Sequence, residues 1–178
     1  MRRPGLVVLL LVLLMLPADA WQRRDPLSSA EIDQLREASQ EPPKRLKLYI
    51  KFIGDRVAAL DRLRTDPRLA NERGAHVHDL LQDITWLSDE MNDNIDIYAT
   101  RKADLRKPLR EIVSAETDFE SKLRALKQST TTDPGLASEA KQYNFVLEDA
   151  LESIHSSLDF ARKLFDEQEV EFAKQKKK

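Results

Sequence analysis

The chain has 178 residues, of which 41% are apolar and 34% are charged, with 4 glycines and no cysteine. The absence of cysteine excludes a disulfide scaffold, a cysteine-ligated metal site, a thiol nucleophile and covalent haem attachment. So few glycines argue against a turn-rich β-sandwich or a glycine-rich nucleotide fold, and the high charge favours long helices. The net charge of −2 argues against a broadly basic nucleic-acid-binding protein, so we expect no nucleic-acid partner.

The first twenty residues have the order of a secretory signal peptide. Arg2 and Arg3 form a basic start, residues 6–16 are an unbroken apolar run, and Ala18-Asp19-Ala20 has the small-x-small pattern that signal peptidase reads. The apolar run is too short for a permanent membrane span. We therefore predict cleavage after residue 20 and export to a bacterial periplasm or the extracellular medium, with no transmembrane segment left in the mature chain.

Hydrophobic spacing predicts a series of amphipathic helices after an extended lead at residues 21–27. The predicted helices cover residues 29–40, 43–65, 75–101, 104–127 and 134–174. The first begins at the capping box Ser28-Ser29-Ala30-Glu31. We expect a break before the fourth, which starts at Asp104 or at Pro108, and the alternative is that the third and fourth form one kinked helix. A loop is predicted at 128–133. The pattern predicts one all-α domain at 28–178, an antiparallel up-down four-helix bundle with a short extra N-terminal helix and a long C-terminal helix.

The C-terminal helix is predicted to extend beyond its neighbours, at the end where the 43–65 helix begins. We expect Ile32 and Leu35 of the first helix to cover Phe160, Leu164 and Phe165 on this overhang. The alternative is that a second copy of the chain covers it, since exposed apolar ends of this kind favour association. The protein would then be a homodimer joined through its C-terminal helix.

Glu116 interrupts an apolar stripe, because it lies between Ile112 and Phe119 on the fourth predicted helix. A buried carboxyl group is costly unless it is paired, hydrogen-bonded or protonated. The first interpretation is a buried polar layer that fixes the register of the bundle. Its expected members are Glu116, Ser88, Tyr143 and Asn144. The alternatives are a ligand or metal carboxylate inside the bundle, or a Glu on an imperfect stripe that is partly exposed.

Few residues have the spacing of metal ligands. Glu152 and His155 have the Glu-x-x-His spacing of di-iron bundle proteins, but there is a single such pair, and it falls on the flank of its helix. His76 and His78 would face different sides of a helix. We expect no cofactor and no metal, with a metal site built from Glu116, Glu152 and His155, or a haem, as the alternative.

A line of acidic and apolar residues runs along the 75–101 helix on the side away from its core stripe. Its members are Asp79, Asp83, Trp86, Glu90, Asp93 and Ile97. An outward Trp among carboxylates could bind a cationic ligand through cation–π and charge attraction, or form the centre of a protein interface. The alternative is a solvated acidic face whose charge is balanced within the molecule by the basic 43–65 helix.

Two short segments carry a resemblance to other proteins. Asp25-Pro26-Leu27-Ser28 with Glu31-Ile32-Asp33-Gln34-Leu35-Arg36, followed by Pro43-Lys44-Arg45-Leu46-Lys47-Leu48, resembles uncharacterised secreted helical proteins of bacteria. The resemblance implies a secreted helical protein and no assigned activity.

No hydrolase triad, Walker motif or dinucleotide-binding pattern is present in the sequence. The sequence therefore favours an exported, non-enzymatic helical bundle that binds an unknown protein or a cationic ligand. A bundle metalloprotein is the competing hypothesis.

Overall fold

A computed structural model of the protein describes residues 24–69 and 72–175. The signal peptide and cleavage site that the sequence predicts lie outside these residues, as does the start of the 21–27 lead. The helices are α1 (Ser29–Glu37), α2 (Pro42–Thr65), α3 (Arg73–Thr100), α4 (Arg106–Thr132), α5 (Pro134–Ala140) and α6 (Asn144–Gln175), with a 3-10 turn at Pro67–Leu69. These described residues contain no strand, which confirms the all-α fold. None of the helices within them has the length and hydropathy needed to cross a membrane.

The four long helices form a ring in which α2 packs on α3, α3 on α6, α6 on α4, and α4 on α2. Chain direction alternates along the sequence. Arg56 on α2 approaches Asp83 on α3 in an antiparallel pair, and Lys127 on α4 binds Glu148 on α6 in another. The consecutive helices α3 and α4 are therefore diagonal to each other, and α3 lies parallel to α6. The alternating chain direction agrees with an up-down bundle, but α3 and α4 are not neighbours in the ring.

The core follows the apolar stripes of all four long helices. Each helix contributes side chains that are almost fully buried, including Leu46 and Phe52 from α2, Ile84 from α3, Leu109 from α4 and Leu147 from α6. Burial of an apolar side chain of this size contributes about 1.5 to 3 kcal/mol. Packing of these stripes, rather than helix propensity alone, therefore holds the long helices together.

Helix α3 ends in a Schellman motif, which makes the break before α4. The Ala103 amide donates to the Tyr98 carbonyl at 3.1 Å, and the Lys102 amide donates to Ala99 at 2.8 Å. Lys102 has a φ of 59°, the left-handed conformation that this motif requires. The side-chain amide of Gln168 on α6 then binds both sides of the connection, at the Leu105 amide and the Ala103 carbonyl. Gln168 thus fixes the diagonal crossing from α3 to α4.

Lys102→Gly should stabilise the protein by about 0.5 to 1 kcal/mol, because glycine adopts a positive φ without the steric cost that lysine has. Urea denaturation at pH 7 measures the difference in the free energy of unfolding. Lys107→Gly is the control, since Lys107 lies inside helix α4, where glycine should destabilise. A loss of stability in Lys102→Gly would contradict the strain assigned to this turn.

Two boundaries near the C-terminal helix differ from the sequence prediction. The predicted loop at 128–133 is helical up to Thr132. The Ser and Thr hydroxyls of this stretch donate to carbonyls three or four residues earlier, so they find partners inside the helix and do not cap or end it. The predicted long helix at 134–174 is interrupted between Ala140 and Asn144. Tight turn bonds from the Gln142 and Tyr143 amides redirect the chain here, and both Ala140 and Tyr143 are buried.

The position predicted for the N-terminal helix is wrong. Helix α1 packs on α2, where Arg45 donates to the Leu35 carbonyl at 3.0 Å, rather than over the end of α6. Arginines of α4 cover aromatic residues of α6 instead. The Arg106 guanidinium lies 4.1 Å from the Phe172 ring centroid, and Arg110 lies 5.4 Å from that of Phe165. Val170 remains 55% exposed, and a homodimer through α6 stays a prediction.

Candidate functional site

The six residues of the acidic line on α3 do not share one environment in the fold. Asp83 is only 4% exposed, so its predicted place on an open binding face is wrong. Asp79 and Trp86 border a pocket, and Trp86 is 38% exposed. The last three members of the predicted line lie further along α3, outside the lining of that pocket, and they are Glu90, Asp93 and Ile97.

The pocket lies in the groove between the parallel helices α3 and α6 and has a volume of about 400 Å³. Its α3 wall comprises Asp79, Gln82, Asp83, Thr85 and Trp86, and its α6 wall comprises Val146 and Asp149. Arg24, from the segment before α1, completes the lining. The groove thus combines an accessible indole with carboxylates from two helices.

Asp83 lies at the centre of an ion-pair network that joins three parts of the chain. Its Oδ1 accepts a hydrogen bond from the Arg24 guanidinium at 2.6 Å, and its Oδ2 lies 3.6 Å from Arg56 Nε. Burial raises the pKa of Asp83, and the two guanidinium groups oppose that shift. The two arginines therefore stabilise the ionised form of Asp83 and offset part of the effect of its burial.

Arg56 also holds the segment that carries Arg24. Its guanidinium donates to the Glu31 carboxylate and, at 2.7 Å, to the Pro26 carbonyl. The hydrogen bonds that Glu31 accepts from Arg56, together with those from Ser28, lower the pKa of Glu31 to about 2. Glu31 meanwhile accepts from Ser28 and closes the capping box of α1. The Glu31 carboxylate thus belongs both to the capping box of α1 and to the ion pair with Arg56 on α2. Together these contacts hold residues 26–31 against the bundle.

Glu116 is fully buried, at 0% exposed, but the polar layer drawn from the sequence does not form around it. Asn144 is exposed, which corrects its assignment to a buried layer, while Ser88 is buried without a hydrogen-bond partner in the described part of the chain. Both Glu116 carboxyl oxygens also have no partner there. The residue beside Glu116 is Ser157 of α6, whose hydroxyl donates to Asn92 at 2.8 Å.

Burial raises the pKa of Glu116 to about 8, and the Arg162 guanidinium opposes that shift. The carboxyl group is therefore protonated at neutral pH, which lowers the cost of placing it among apolar side chains. Tyr143, the remaining member of the predicted layer, is 2% exposed. The charged groups that act on its hydroxyl are Glu139, Arg64 and Arg73, and Glu116 is not among them.

The residues proposed as metal ligands are separated in the fold. Glu152 and His155 are exposed on α6, whereas Glu116 is enclosed. His155 instead binds Glu120 at 3.2 Å and lies 3.6 Å from Asp159. His76 and His78 are on α3, each 3.6 Å from a neighbouring carboxylate. Within residues 24–69 and 72–175, no group of three acidic or histidine side chains is arranged to hold a metal ion.

Sequence reasoning missed the residues that complete the groove. Arg24, Val146 and Asp149 come from outside α3, so the periodicity of a single helix could not reveal them. One signal was available, because Phe145 and Val146 fall off the apolar stripe of α6. Phe145 is 79% exposed, one helical turn before Asp149 on the same face.

Comparison with known proteins identifies no relative. No family model matches the chain, and neither the curated proteins nor the solved structures include a detectable match.

Proposed function

We propose that the protein is an exported, non-enzymatic binding module and that the groove of Trp86, Asp79 and Asp149 binds a cationic partner. The observation that carries this proposal is an indole, 38% exposed, in the wall of a pocket with carboxylates on both sides. The face of an indole attracts a cation, and desolvation in a pocket strengthens that attraction. Large aromatic residues are also common at the energetic centres of interfaces.

The chemistry of the groove favours a partner that is both cationic and partly apolar. The carboxylates Asp79 and Asp149 supply charge complementary to a base, and Trp86 and Val146 supply apolar surface. A peptide segment that places an arginine or lysine beside an aromatic residue satisfies both requirements. Export, which the N-terminal sequence predicts, would bring the module to such partners outside the cytoplasm.

Trp86→Ala should weaken binding of a cationic, aromatic peptide at least tenfold, because the substitution removes the ring that contacts both parts of the ligand. The probe is an acetylated, amidated hexapeptide of alternating arginine and phenylalanine, and isothermal titration calorimetry measures its dissociation constant. A peptide of the same length with glutamate in place of arginine should not bind. Trp86→Ala should cost no more than about 1 kcal/mol of folding stability, since the side chain is partly exposed.

Val170→Ala is the matched control. Val170 is an exposed apolar residue of the same helix as Val146, about 36 Å further along at the helical rise of 1.5 Å per residue. The Val170→Ala variant should bind the arginine–phenylalanine hexapeptide with the same dissociation constant as the wild type. Equal affinity of the wild type and Trp86→Ala, or equal binding of both peptides, would contradict the proposal.

A further inference from the structure

We infer that Arg24 is a built-in competitor of the groove: its guanidinium occupies the cation site, and a guanidinium-bearing partner must displace it. This inference rests on the proposed function, since it names the regulation and the ligand class of that same groove. It depends on the contacts that the Arg24 guanidinium makes with Asp79 and Asp83 of α3.

Arg24 meets a preformed set of acceptors. Its Nη2 donates to the Asp83 carboxylate at 2.6 Å and to the Asp79 main-chain carbonyl at 3.1 Å, and its Nε lies 3.8 Å from the Asp79 carboxylate. The Asp83 side chain is 6% exposed, so the acceptor is held inside the protein rather than on a mobile surface. Charged hydrogen bonds of this kind are stronger than neutral ones.

Guanidinium addresses these acceptors with two nitrogens, whereas an ammonium ion has one. Its N–H donors lie in one plane, so Nη2 can bond the Asp83 carboxylate and the Asp79 main-chain carbonyl while Nε faces the Asp79 carboxylate. Guanidinium is also more weakly hydrated than ammonium, and its flat face can stack on an indole such as Trp86. The ligand class is therefore a peptide or small molecule that presents an arginine-like group.

Arg24 can leave without unfolding the segment that carries it. The Arg24 side chain is 55% exposed, whereas Arg56 and Glu31, which hold the following residues, are 14% and 13% exposed. The Arg56 contacts with Pro26 and Glu31 stay in place when Arg24 swings away. Release of Arg24 leaves the Asp83 carboxylate with one guanidinium partner, so it favours capture of another cation.

Arg24→Ala should bind the arginine–phenylalanine hexapeptide about tenfold more tightly than the wild type. If Arg24 occupies the site in about nine-tenths of the molecules, only about one-tenth of the sites are open, and the apparent affinity for the peptide falls about tenfold. Ethylguanidinium at millimolar concentration should raise the melting temperature of Arg24→Ala more than ethylammonium does, and should have little effect on the wild type. Arg36→Ala is the control, because Arg36 is an exposed arginine of α1 that binds only its neighbour Asp33 among the contacts described.

The outcomes separate this inference from the proposed function. If the wild type binds the hexapeptide through Trp86 and Arg24→Ala binds it no better, the groove is a binding site and the competitor role is wrong. If ethylguanidinium selectively stabilises Arg24→Ala but no chain binds the hexapeptide, the competitor site stands and the proposed peptide partner is wrong. Equal behaviour of the wild type and Arg24→Ala toward both probes would overturn the inference.

Discussion

Glu116→Gln should stabilise the protein by about 3 kcal/mol at pH 7, and this gain should disappear near pH 4. Burial raises the pKa of Glu116 from 4.5 in the unfolded chain to about 8 in the fold. The unfolded state ionises above pH 4.5 while the folded state stays protonated, so the stability of the native protein falls as the pH rises from about 4.5 to about 8. Each unit of this shift corresponds to about 1.4 kcal/mol. Glutamine removes the titration and keeps the size of the side chain.

Urea denaturation of both chains at pH 4, 5.5, 7 and 8 measures this dependence. The control is Glu111→Gln, an exposed position on the same helix, which should leave the free energy of unfolding almost unchanged at every pH. A stability difference that is the same at pH 4 and pH 8 would mean that Glu116 does not titrate in this range. Destabilisation by Glu116→Gln at pH 7 would mean that the native carboxylate is ionised and paired with a cation.

Arg56→Leu should destabilise the protein by about 2 to 3 kcal/mol at pH 7. The substitution removes the partner of two carboxylates, Glu31 and Asp83, which are 13% and 6% exposed in their side chains. Loss of one partner from an enclosed ion pair leaves a buried charge without compensation. The free-energy cost of this charge exceeds the net stabilisation that the intact pair provided. It also frees the Pro26 carbonyl, so the segment before α1 should become accessible to protease.

The pH dependence of this second variant has the opposite sign. Arg56 lowers the pKa of Glu31 from 4.5 to about 2, and the stability from this interaction is fully present above pH 4.5 and is lost as the pH falls through about 2. The difference in the free energy of unfolding between the wild type and Arg56→Leu should therefore become smaller below pH 4. Arg64→Leu, at an exposed position of the same helix, is the control and should change the unfolding free energy little. Equal stability of Arg56→Leu and the wild type at pH 7 would contradict the network.

The sequence predicted the helices where local chemistry determines them. The capping box at Ser28 and the two prolines at the first positions of α2 mark helix starts that the structure also has. The stripe of Val77, Leu81 and Ile84 is buried because its spacing matches the helical period. These features depend on neighbours within a few residues, and a single sequence contains all of that information.

The arrangement of the helices could not be predicted in the same way. The choice of diagonal partners depends on how faces from distant segments fit together, and Gln168 contacts the α3–α4 connection from 63 residues further along the chain. The turn at residues 141–143 lacks a glycine or proline that would reveal it. Glu116 was recognisable as unusual from its stripe, but its neighbour Ser157 was not. The predicted helices ended at 127 and restarted at 134, whereas α4 continues to Thr132 and α6 begins at Asn144, so the residue level with Glu116 lies further along the C-terminal helix than expected.

The candidate site shows the same division. Trp86 stood out because its helix has a separate apolar stripe, yet the exposure of Asp83 was misjudged, since its partner Arg24 is 59 residues away. Charge pairing between distant segments leaves no period in the sequence. The available signal was the excess of basic residues on α2 and of acidic residues on α3. Arg56 is the basic residue of α2 that lies beside Asp83 of α3.

The most direct test of the binding groove is a two-dimensional NMR titration of the isotope-labelled mature chain with the arginine–phenylalanine hexapeptide. We expect the largest shifts at the Trp86 indole N–H and at the amides of Gln82, Val146 and Asp149, which line the pocket. We also expect the Arg24 side-chain signal to move as its guanidinium leaves Asp83. Shifts confined to other surfaces, or none at saturating peptide, would contradict the assignment of this groove as the binding site.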